Sequence, residues 1–299
     1  AARTALSTEY EWGIYLVKRP EHAGWGAGPD TGINRQPQTL RSCIAAVTKP
    51  DVHGGWGFTL DPIILGLLVA PTLAGVFFSV AVFIGFLSRQ VAKIVAIDRR
   101  RKLRNERTIL AERVVIAYAL IATLFFILAW LFADDNRFLV PLLMAMPVGL
   151  VFAYYDLGKP GRTLQAELSG PLAMAAVASA IAMMAGWPLA VALPLWIVLV
   201  ARGLTAVLYV RARLRLDYGR DVNLWLPVCW HGLALAVIVW MAWATLLPWT
   251  AVWAMVLLLV RCVIMLLPQR PKVSVKTIGL SELGLGLLTV LMVAIGYWM

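Results

Sequence analysis

The chain reads as a series of apolar runs divided by short polar breaks. The runs fall at about 59–70, 72–88, 111–132, 138–155, 164–185, 189–210, 223–246, 250–267 and 277–298. Most approach the ~20 residues a helix needs to cross ~30 Å of hydrocarbon. The first is short, which predicts a tilted or partial crossing. Asp61-Pro62 reads as its N-cap and first helical residue, and Pro71 as its end. Pro141 and Pro147 predict a bend in the fourth run, and Gly186-Trp187-Pro188 a minimal turn after the fifth. The pattern predicts an all-α polytopic membrane protein. About nine helices lie in residues 57–299, after a Gly-, Pro- and aromatic-rich arm at 1–56.

The breaks alternate in charge. Arg89 to Arg113 carries nine of the 27 Lys and Arg residues. The breaks after runs two, four, six and eight are basic, and Arg137 is the only basic residue in the others. The positive-inside rule then places 89–113, 156–163, 211–222 and 268–276 in the cytoplasm. The N-terminus is expected inside and the C-terminus outside a bacterial cytoplasmic (inner) membrane. Residues 1–56 hold no apolar signal-like core, so insertion is expected to rely on the first span.

Composition agrees. The chain is 61% hydrophobic and 14% charged, against about 25% charged in a soluble domain. The net charge of +11 does not indicate nucleic acid, because the basic residues sit at the ends of apolar spans. That placement suits membrane lipids, including anionic headgroups. Cys43, Cys229 and Cys262 form no CxxC pair, which argues against a disulfide framework or zinc site. Only His231 of three histidines lies inside a span, so a bis-histidine haem is disfavoured.

Five ionisable residues fall within the apolar runs: Glu167, Arg202, His231, Arg261 and Glu282. At about 1.5 Å per residue all lie in the cytoplasmic half, from roughly 6 Å deep at Glu167 to roughly 12–14 Å at Arg202 and His231. Such groups persist where they pair or line wet space. Snorkelling is an alternative for Arg261 and Glu167. A polar cavity open to the cytoplasm covers the set, and matching depths predict that Arg261 pairs with Glu282.

Two further features carry candidate chemistry. Asp217 and Asp221 stand four apart in one basic break, and Asp98 stands in another. With Arg99, Arg100, Lys102 and Arg107 as anion-binding cations, these carboxylates suit Mg²⁺ and a diphosphate. The alternative is that the aspartates pair with neighbouring arginines. The second feature is an internal echo: Lys18 to Gly26 resembles Lys49 to Gly57, and pairs His22 with Trp25 and His53 with Trp56. It reads as a Gly turn with an interfacial Trp, or as a docking element.

The carboxylate-bearing breaks after runs two and six, with YYDLGKPGRTLQAELSG before run five, resemble the UbiA prenyltransferase architecture. HGGWG at 53–57, LSRQ at 87–90, DRRRKLRNERT at 98–108, LQAELSG at 164–170 and LYVRARLRL at 208–216 resemble the YwiC-like membrane protein family more closely. The UbiA resemblance implies a nine-helix bundle and a two-magnesium diphosphate site. Its first motif keeps Asp98 alone, with Ile94, Val95 and Lys102 at the other acidic positions, while its second survives as Asp217 and Asp221. The expectation is a non-catalytic UbiA-like protein that binds a quinone, isoprenoid or other lipid. It is expected to serve as an accessory subunit of a respiratory or photosynthetic complex, docked through the arm. A Mg-dependent prenyltransferase and a transporter are the alternatives. No residue is assigned as catalytic.

Overall fold

The structure is a computed structural model, and it describes residues 56–102, 106–158 and 163–299, without the side chains of 107, 157 and 158. The described residues form nine α-helices: α1 Trp56–Val69, α2 Leu73–Arg100, α3 Glu106–Phe132, α4 Leu139–Gly158, α5 Leu164–Met184, α6 Leu189–Asp217, α7 Trp225–Trp243, α8 Trp249–Leu266 and α9 Val275–Trp298. A 3₁₀ turn, Asn136–Phe138, precedes α4. Eight are long and apolar enough to cross a bilayer, and α1 is the short one. At about 1.5 Å per residue α1 is about 21 Å long, roughly a third less than the hydrocarbon needs. The protein is a polytopic helical membrane protein.

Short α1 is nonetheless central: it packs on α5 and α9, and also touches α2 and α6. Its partner α5 is the most buried span, with 72% of its apolar window buried against 6% in α3. Small side chains explain this. Ala175, Ala176, Ala178, Ser179, Ala180 and Ala182 let neighbouring backbones approach α5 closely. A Cβ at Gly66 would come 2.8 Å from Ile181 Cβ. Helices α2 and α3 pair as a hairpin that joins the core through Ala74, Phe78 and Ala129.

The two ends of the bundle differ. One gathers the turns after α1, α3, α5 and α7. There the Asp134 amide donates to the Met184 carbonyl, Trp298 Nε1 donates to the Leu68 carbonyl, and Trp187 meets Tyr297 at 5.6 Å. These rings suit a membrane–water interface. The other end carries the basic turns.

Two sequence expectations are corrected. The basic stretch 89–113 is mostly helix rather than loop, because α2 continues to Arg100 and α3 starts at Glu106. Residues 89–100 contain no Gly or Pro, and Val91, Ile94 and Val95 pack on Ala111, Val114, Val115 and Tyr118. This small core continues the hairpin, and Lys102, at φ 55°, takes the left-handed position that ends α2. The second correction is Asp61. Helix α1 already starts at Trp56, so Asp61 and Pro62 lie inside it. Asp61 is 3% exposed and does not cap a helix.

Candidate functional site: a buried charge quartet

The interior relocation of Asp61 creates the main polar feature of the bundle. Arg202 sits near the middle of α6, about 20 Å from its Leu189 end and about 22 Å from Asp217. Its Nη1 lies 3.0 Å from Asp61 Oδ2, and both side chains are 4% exposed. That oxygen forms no hydrogen bond; the contact is therefore Coulombic, without good donor alignment. Arg202 Nη2 donates to the Glu282 carbonyl at 2.6 Å. The guanidinium also lies 5.5 Å from the Phe58 ring centre. Glu282 Oε1 in turn pairs with Arg261 Nη2, and Arg261 stacks 3.7 Å over the Tyr209 ring.

Asp61 on α1, Arg202 on α6, Glu282 on α9 and Arg261 on α8 thus form one chain across four helices. It holds two cations and two anions, so its formal charge is zero. Neutrality lets it persist in a medium where a lone charge costs several kcal/mol. Polar capacity is left over: Asp61 Oδ2, Arg202 Nε, Arg261 Nε and Nη1, and Glu282 Oε2 are buried without a hydrogen-bond partner. A narrow cleft between Phe58, Asp61, Pro171, Leu199 and Arg202 reaches the quartet.

The expected Arg261–Glu282 pair is present. Glu167 stands apart, with Arg211 Nε 2.5 Å from its Oε2. His231 is 1% exposed, and its Nδ1 meets the Pro227 carbonyl one turn earlier at 2.7 Å. Asp61 was missed because Asp-Pro at the start of an apolar run also fits a helix cap. Its signal was a carboxylate flanked by Leu60 and Ile63 with a lone Arg deep in another span.

At the basic end, Asp217 has both oxygens engaged. Arg213 Nε lies 3.0 Å from Oδ2 and Arg270 Nε lies 3.2 Å from Oδ1. Arg213, 1% exposed, also donates to the Met265 and Pro271 carbonyls. Asp98 Oδ2 accepts from Thr108 Oγ1 at 2.8 Å. Asp221 is exposed. Among the described residues no three or more His, Cys, Asp or Glu converge. This donor set does not fit a two-magnesium diphosphate site, because guanidinium groups already occupy the Asp217 carboxylate.

The anion-binding candidates lie on the hairpin tip. Arg99 Nε pairs with Glu112 at 2.9 Å, Arg100 is exposed in the last turn of α2, and Lys102 is exposed in the turn. His22, Trp25, His53 and the Arg107 side chain lie outside the described residues. Trp56 opens α1 and packs on Phe83 and Phe86, at 5.9 and 5.7 Å.

No curated protein and no solved structure was found to be similar to the chain. Over residues 50–182, from just before α1 through most of α5, the chain matches the family described as YwiC-like protein.

Proposed function

We propose that this chain is a non-catalytic membrane protein that holds the headgroup of a quinone, isoprenoid or related lipid at the charge quartet. Its role would be that of an accessory subunit of a larger membrane complex. The observation that carries this reading is the quartet itself, with Asp61 Oδ2 and Arg202 Nε left unpaired beside a cleft. Arg202 supplies an N–H donor suited to a carbonyl or hydroxyl oxygen, while Asp61 supplies an acceptor. Phe58, Pro62, Pro171 and Leu199 supply apolar walls. The engaged Asp217 weighs against prenyl transfer, which needs carboxylates free for metal. The arm at 1–56 is the proposed docking element.

The test is mass spectrometry of lipids and subunits that co-purify with the protein in mild detergent. We expect one lipophile enriched on the wild-type protein. It should fall by about tenfold or more in an Arg202→Leu/Asp61→Leu variant, as loss of a charge-assisted contact implies. No enriched lipophile on the wild type would refute the reading. Incubation with Mg²⁺, prenyl diphosphates and aromatic acceptors should give no turnover. Turnover lost in Asp221→Ala would replace the reading with an enzyme.

The same proposal sets the orientation: basic turns in the cytoplasm of a bacterial inner membrane, N-terminus inside and C-terminus outside. In a chain with its native cysteines replaced, an impermeant thiol reagent added outside intact cells should label Asp135→Cys and spare Arg220→Cys. The reverse result would invert the topology.

A further inference from the structure

The two unpaired atoms beside the cleft are of opposite kind. Asp61 Oδ2 lacks a hydrogen-bond donor, and Arg202 Nε lacks an acceptor. Both residues are 3% exposed, and both line the cleft. A charged group buried with its hydrogen-bonding capacity unmet is costly, so a ligand that satisfies both atoms gains most.

Three constraints narrow the chemistry of that ligand. The first is pairing. A carboxylate accepts and a guanidinium donates. A carbonyl oxygen serves Arg202 Nε but turns its lone pairs on Asp61. A hydroxyl serves both, because it donates one hydrogen and still accepts. The two atoms are close enough for one oxygen to reach both. Arg202 Nη1 lies 3.0 Å from Asp61 Oδ2, and Nε belongs to the same planar guanidinium. The second constraint is charge. The quartet is already neutral, so a phosphate would leave an unbalanced anion beside Asp61, and an ammonium would face Arg202. The third is room. The cleft beside Arg202 admits about one water-sized group. That suits a hydroxyl at the end of a chain and does not suit a ring.

We infer that the cleft binds the hydroxyl end of a neutral lipid alcohol. The O–H donates to Asp61 Oδ2, and the same oxygen accepts from Arg202 Nε. The first carbons of the chain lie against Phe58, Pro62, Pro171 and Leu199. The inference rests on the reading of the quartet as a lipid site, and selects one class among the lipids that reading allows.

The experiment is thermal-shift titration of the full chain in mild detergent with four lipids: geranylgeraniol, its aldehyde, its monophosphate, and a prenylated quinone with a tail of the same length. The aldehyde matches the alcohol in size and keeps the acceptor while losing the donor. Geranylgeraniol should bind, and each of the other three should bind about tenfold more weakly or worse. The Asp61→Leu/Arg202→Leu variant strands no charge and should lose the preference for alcohol over aldehyde. Equal binding of the alcohol and any of the other three on the wild type would overturn the inference. So would a preference that survives in the double variant. Failure of all four to bind would overturn it as well, whereas the broader lipid-site reading fails only if no lipophile co-purifies with the wild-type protein.

Discussion

Replacing Arg202 alone by Leu should destabilise the protein by about 3–5 kcal/mol, the usual consequence of leaving a buried charge without its partner. Asp61, at 4% exposure, then has no cation at 3.0 Å. Replacing Asp61 alone should cost a similar amount for the converse reason. The double variant Asp61→Leu/Arg202→Leu should recover much of the loss, because no charge is left stranded between α1 and α6. Unfolding of all four proteins in one detergent gives the coupling between the two sites. Costs that simply add would mean that the two charges do not stabilise each other. The cycle also separates structure from function: the double variant is expected to stay folded while losing the bound lipophile.

The second large effect concerns a glycine. Gly286 lies on α9 one turn past Glu282, facing the quartet. A Cβ there would stand 2.5 Å from Asp61 Oδ2 and closer still to Arg202 Nη2. Alanine is ordinarily the better helix former by about 1 kcal/mol. Here that gain should be overwhelmed, because accommodation requires the buried pair to move apart. Gly286→Ala is expected to destabilise by a few kcal/mol, in the range of buried overpacking. Gly279→Ala and Gly284→Ala are controls on the same helix: a Cβ at either position meets nothing within 4 Å. Both should be neutral or slightly stabilising. In an Asp61→Ala/Arg202→Ala background the Gly286→Ala penalty should largely vanish. A penalty of equal size in both backgrounds would place its origin elsewhere.

These two experiments bear on residues of unequal legibility. Arg202, Arg261 and Glu282 were visible as ionisable groups inside apolar runs, and their depth alone predicted the Arg261–Glu282 pair. Gly286 carried no signal, since nothing local distinguishes it from Gly279 or Gly284. The basic stretch misled for a related reason. Its charges mark a segment outside hydrocarbon, but charge does not break a helix. The spacing of Val91, Ile94 and Val95 with Ala111, Val114, Val115 and Tyr118 carried the continuation of the hairpin.

What the sequence determined by itself was the set of spans and the alternation of their ends. Hydrocarbon leaves a backbone no partner but its own helix, so each long apolar run must be helical. What only the tertiary structure decided was which helix is central and which charges meet. Hydropathy measures transfer out of water, and lipid is as apolar as a protein interior. It therefore cannot rank α5 above α3, although the least buried span, α3, is the most hydrophobic of the eight and the most buried, α5, the least. The partners in the quartet are separated by more than a hundred residues between Asp61 and Arg202. Their meeting depends on α1 lying against α5, α6 and α9, an outcome of close packing between small side chains.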